Sequence, residues 1–79
     1  MAWTAWGSGS GRAIARNWSR RRVFEAARAA ADGGQRGVTV YDGDGHVFNA
    51  QGRPAACPEC GRGSGEHFDG PPHCSRSVH

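Results

Sequence analysis

A chain of 79 residues without a single leucine has little from which to build an apolar core. Its remaining aliphatic and phenyl bulk is five valines, three phenylalanines and one isoleucine. Roughly a fifth of the chain is the share of such residues below which sequences drift toward disorder, and nine residues fall well short of it. Three tryptophans and one tyrosine add some apolar surface. Ordering every residue costs conformational entropy, and a small domain recovers comparatively little of it by burial. The expectation is a chain stapled by something other than its core, with a disordered remainder.

Gly, Ala, Arg and Pro dominate the sequence, and lysine is absent. All four favoured residues have GC-rich codons, so the arginine content reflects coding bias as well as any anionic partner. The charge is unevenly placed. Residues 1–37 carry seven arginines against Glu25 and Asp32, a net of +5. Residues 38–79 carry three arginines against five acids, a net of −2. A basic front and an acidic back imply different partners for the two halves. Met1 to Gly7 reaches Gly and Ser before an apolar run forms, so no signal peptide is read. No segment approaches the length of a membrane span, and a cytoplasmic setting is expected. Three cysteines, an odd number, argue against a closed disulfide framework.

The fold class expected is a small α+β metal-stapled domain. Residues 1–16 read as a flexible basic leader, with linker composition over Gly7–Gly11. Residues 17–34 read as a basic helix whose body is Trp18–Ala31. Asn17 or Ser19 starts it, and Asp32-Gly33-Gly34 stops it. Val23, Ala26, Ala27 and Ala30 share one stripe with Phe24 beside it, and Ile14 and Trp18 extend that stripe backward. Arg21 and Glu25 can pair one turn apart. Residues 35–79 read as a short β-hairpin followed by a loop-rich zinc-binding module. In the hairpin, Val38–Tyr41 and His46–Asn49 flank the turn Asp42-Gly43-Asp44-Gly45.

Cys57-Pro58-Glu59-Cys60-Gly61 carries the clearest chemistry. Two thiolates two residues apart grip one side of a tetrahedral ion, and the following Gly lets the backbone turn toward sulfur. Cys74 is the third expected ligand and His67 the fourth, giving Cys-x2-Cys-x6-His-x6-Cys. His79 is the alternative fourth ligand, with Cys-x2-Cys-x13-Cys-x4-His spacing. The expected cofactor is one structural Zn²⁺. The alternative is ordinary thiols in a loop. The string Cys57–Gly65 also resembles the glycine-rich repeat of DnaJ-type zinc regions. That family carries several copies where this chain has one, so the likeness implies shared knuckle chemistry only.

The second constellation is Arg12, Arg16, Arg20, Arg21 and Arg22 around Trp18. Guanidinium groups bind phosphate through paired hydrogen bonds, and an indole stacks on a base. The expected partner is nucleic acid, with a protein partner as an alternative and no membrane. A solvated basic helix face is the plainer reading of the same residues.

Ala2-Trp3, Asn17-Trp18 with Arg20, Arg21, Arg22 and Val23, and then Asp32-Gly33, resemble the leader of small HNH endonucleases of bacteria and phages. The resemblance covers residues 2–34 and implies that a ββα-metal nuclease core follows. This chain departs from that core. No Cys comes directly after Asp32-Gly33, where the family places its first zinc pair, Asp44-Gly45-His46 is the nearest string to an Asp-His dipeptide, and Gly61 follows Cys60 in place of the family's closing His. If activity persisted, the resemblance implies His46 as general base and His67 on a second metal. The reading taken is a zinc-binding, nucleic-acid-interacting module without catalysis. A truncated or degenerate HNH-type endonuclease comes second, and a marginally folded or spurious reading frame third.

Overall fold

The computed structural model describes residues 2–8, 12–42, 44–58, 61 and 63. Among these residues the elements run β1 (Trp3–Trp6), β2 (Ala13–Asn17), α1 (Arg20–Asp32), β3 (Thr39–Tyr41) and β4 (Val47–Asn49). The strands form one antiparallel sheet in the order β2-β1-β3-β4, and α1 packs on it. The α+β class expected from the sequence is therefore present, with a larger sheet than a lone hairpin.

The flexible, disordered leader expected over residues 1–16 is corrected where its residues are described, since Trp3–Trp6 and Ala13–Asn17 are strands. Trp3–Trp6 is an inner strand of the sheet, with Ala5 opposite Ala15 on one side and opposite Val40 on the other. Trp-Thr-Ala-Trp does not alternate strictly, since Trp3 and Trp6 fall on opposite faces, and it is too short to stand out beside a glycine-serine run. Its β-branched and aromatic side chains nonetheless suit a pleated surface. Trp3 and Ala5 pack toward α1, while Trp6 joins a cluster on the opposite face.

The helix begins later than expected, and Trp18 is not on its stripe. Asn17 Oδ1 accepts the Ser19 N–H at 2.8 Å, and Ser19 keeps extended dihedrals, so helical winding starts at Arg20. Ile14 consequently belongs to β2. The stop signal works as expected. Gly34 N–H donates to Ala31 O at 3.1 Å and Gln35 N–H to Ala30 O at 3.0 Å, a paired closure with Gly34 at φ +98°. Val23, Phe24 and Ala27 are buried, as their spacing requires.

β3 and β4 form the expected hairpin, with Tyr41 opposite Val47. Asn49 then reverses the chain, its Oδ1 accepting the N–H groups of Gln51 and Arg53, each at 3.0 Å. Residues 53–55 return along β4 through a Phe48–Pro54 bridge and a bond from Ala55 N–H to Val47 O at 2.9 Å.

The sheet therefore has two covered faces. Toward α1, Ala5, Val23, Phe24, Ala27, Val38 and Val40 form the main cluster, with Trp3 and Phe48 packed against it. On the other face Trp6, Tyr41, Val47 and Cys57 form a second cluster.

Candidate metal knuckle and basic helix face

Strand alternation places the first site. In β3, Val40 turns to the helix and Tyr41 to the opposite face, where the returning chain lays Cys57 against it. Cys57 is 1% exposed. The Tyr41 hydroxyl donates to Cys57 Sγ at 3.2 Å, and Tyr41 Oη lies 3.1 Å from Thr39 Oγ1. Gly61 N–H donates to Cys57 O at 2.7 Å with Gly61 at φ +75°. That left-handed conformation favours glycine, and the N–H goes to the Cys57 carbonyl oxygen instead of to sulfur. Trp6 Nε1 is buried on the same face without a hydrogen-bond partner among the described residues.

A buried sulfur that accepts a hydroxyl hydrogen bond is chemically suited to a metal-bound thiolate, which needs outer donors to fix and stabilise it. Of the expected ligands, Cys57 lies within the described residues; Cys60, His67, Cys74 and the alternative His79 lie outside them. Among the described residues no three His, Cys, Asp or Glu side chains converge as a metal site. Tyr41 was missed as part of this site because its sequence signal is that of an ordinary strand aromatic. The usable clue is that Thr39, Tyr41 and Val47 share one sheet face.

The structure divides the arginine constellation. Arg16 pairs in register with Thr4, one residue from the Ala5–Ala15 pair that faces the helix, so it belongs to the opposite face. Arg12 is exposed ahead of β2. Arg20, Arg21 and Arg22 occupy the first turn of α1, which holds no acid, and the Ser19 side chain does not cap it. The Arg20 guanidinium lies 5.0 Å from the Phe24 ring centroid and 5.8 Å from that of Trp3. Arg21 pairs with Glu25 at 3.4 Å, as the sequence spacing allows. Trp18, at the junction of β2 and α1, is 75% exposed.

Between α1 and the turn after β4 runs a groove of about 480 Å³, bordered by Arg20, Arg21 and Arg28 on the helix and Gln51 and Gly52 on the turn, with Phe24 between. Arg28 was not in the constellation read from sequence. Its signal was helical spacing, seven residues beyond Arg21 and on the same face.

The third constellation is the hairpin turn. Asp42 Oδ1 accepts the N–H groups of Asp44 and His46, each at 2.9 Å. Asp42 Oδ2 lies 3.0 Å from His46 Nδ1. The turn is thus tied at several points, and Asp42 is the turn former that its position implied. His46 itself is exposed, its side chain 52% accessible.

No helix among the described residues is long and apolar enough to cross a membrane. No family model matches the chain, and neither a curated protein nor a solved structure matches it.

Proposed function

We propose that the chain is a small zinc-stabilised module that binds nucleic acid without catalysing a reaction on it. The observation that carries the reading is the start of α1. Three consecutive arginines stand at the positive end of a helix dipole, with no acid in that turn and a largely exposed Trp18 beside them. Like charge at a helix N-terminus is unfavourable unless an anion is brought to it. Orphan backbone N–H groups and guanidinium groups there converge on the same ligand chemistry, phosphate. Support for the metal comes from the Cys57 thiol beneath the sheet, the Tyr41 hydroxyl on its sulfur and the Gly61 turn. Zinc held by Cys57, Cys60, Cys74 and His67 would add its binding free energy to a core that is small.

Two measurements test this. Native mass spectrometry with and without chelator is expected to show one zinc per chain. Fluorescence anisotropy with labelled oligonucleotides is expected to show binding that weakens steeply with salt, because each phosphate contact releases counterion. Binding unchanged by salt, or a chain that carries no zinc, removes the corresponding half of the reading.

One observation favours the HNH-type alternative. Asp42 Oδ2 lies 3.0 Å from His46 Nδ1 and orients the ring, so that its other nitrogen, Nε2, is held at an exposed site. A nicking assay on supercoiled plasmid with Mg²⁺, Mn²⁺ or Ni²⁺ separates the two readings. The binding module leaves the plasmid intact, whereas cleavage lost on His46→Ala establishes the nuclease.

A further inference from the structure

We infer that the groove between α1 and the turn after β4 holds the phosphodiester backbone of a single-stranded nucleic acid, with Trp18 stacking on a neighbouring base. The inference rests on the nucleic-acid reading above and gives it a surface and a ligand class.

Three arginines border the groove on its helix side, Arg20 and Arg21 at the start of α1 and Arg28 two turns beyond Arg21 on the same face. Glu25 pairs with Arg21, so Arg20 and Arg28 are the cations that the Glu25 pair leaves to a phosphate. Arg20 is already held. Its guanidinium lies over the Phe24 and Trp3 rings, and a preoriented fork loses less conformational freedom when it takes a phosphate. Across the groove, the Gln51 side chain supplies an amide able to donate or accept.

Shape favours one strand over two. Reading a duplex requires a protruding helix or ribbon that enters a groove of the DNA. Here the protein surface beside α1 is concave, an open groove of about 480 Å³, and among the described residues no element protrudes from it. Trp18 adjoins Ser19, which also lines the groove, and three-quarters of its surface is exposed. An indole in that position stacks on any unpaired base, whereas bases within a duplex present no free face. A lipid headgroup would satisfy the arginines but would leave the indole without a base.

The test is anisotropy of a labelled oligothymidylate at low salt, with the full chain and its variants, each checked by circular dichroism. Arg28→Gln is expected to weaken binding several-fold and lower the salt slope by about one phosphate contact. Trp18→Ala is expected to weaken it about tenfold, and bound strand should quench Trp18 emission in the parent chain. Arg36→Gln removes the same charge at an exposed position in the connection after α1, and is expected to change little. Equal losses from Arg28→Gln and Arg36→Gln would overturn the groove, because binding would then follow net charge alone. Loss on Arg16→Gln with none on Arg28→Gln would move the nucleic acid to the opposite face, leaving the broader reading intact. Tighter binding of duplex than of single strand also overturns the inference. Absence of any oligonucleotide binding by the parent chain, with capture by phosphatidylserine vesicles instead, sinks the nucleic-acid reading itself.

Discussion

Tyr41→Phe is the most informative single change, because it removes one oxygen and keeps the ring. Tyr41 is 1% exposed, and its hydroxyl lies 3.1 Å from Thr39 Oγ1 and 3.2 Å from Cys57 Sγ. Thr39 retains an alternative acceptor, Gly37 O at 3.4 Å, so its own loss is partly compensated. In the metal-free protein the change removes a neutral hydrogen bond to sulfur, worth about 1 kcal/mol. A shift of that size lowers the melting temperature of so small a domain by about 4–8 °C. In the zinc-loaded protein the same hydroxyl faces a thiolate, and hydrogen bonds to charged groups contribute about 1.5–3 kcal/mol. The difference, roughly 0.5 to 2 kcal/mol, falls on metal affinity and corresponds to a Kd weaker by about two- to thirtyfold. That overlaps the low end of the roughly 10–100-fold range for outer-sphere partners of metal ligands. The assay is competition with a chromophoric chelator, alongside thermal unfolding of the metal-free form. Stoichiometry should stay at one zinc per chain while affinity falls. Unchanged affinity in a variant that is destabilised as expected would refute the thiolate role of Tyr41 and leave only a structural hydrogen bond. Failure of the parent chain to bind zinc would remove the metal and leave the stability prediction standing.

Gly37→Ala should destabilise by more than about 1 kcal/mol, since Gly37 sits at φ +61° and an added Cβ would run into the Ser8 side chain; thermal unfolding measures it. Val40→Ala empties a fully buried position in the inner strand β3 and should cost about 2 kcal/mol in urea unfolding, from lost methyl burial plus a residual cavity. A loss below about 0.5 kcal/mol would mean that the sheet does not pack against α1 as described. Glu25→Gln should change stability by no more than about 0.5 kcal/mol, because its pair with Arg21 is largely exposed.

Local signals in the sequence were legible where chemistry forces one backbone conformation. Gly33-Gly34 ends α1 because a left-handed residue is needed to return the last amides to the helix carbonyls. Asp42 makes the hairpin turn because its carboxylate can accept amides two and four residues ahead. Pairing between distant segments was not legible. β1 and β3 are more than thirty residues apart, and nothing in Trp3–Trp6 names Thr39–Tyr41 as its partner. The same limit split the arginine constellation. Arg16 and Arg20 look adjacent in sequence, but the strand-to-helix switch at Trp18-Ser19 puts them on different surfaces. Groups from separate elements, such as the Tyr41–Cys57 bond and the Arg28–Gln51 groove, depend on that pairing and were invisible for the same reason.

The poverty of the core acquires a different meaning once the two faces are separated. Among the described residues, the helix side gathers most of the apolar bulk, including Trp3, Phe24 and Phe48 with ring centroids 5.8–6.1 Å apart. Tilted and edge-on contacts of this kind add to area burial. Among the described residues, the opposite side has Trp6, Tyr41, Val47 and Cys57, with Ala13 packed against them. A metal anchored at Cys57 would hold the returning chain over Trp6 and Tyr41. The basic groove lies on the helix side and draws its geometry from Phe24 and Trp3. Metal and nucleic acid would therefore be served by opposite faces, each supported by its own cluster. The inner strand β1 links them, sending Ala5 to one side and Trp6 to the other.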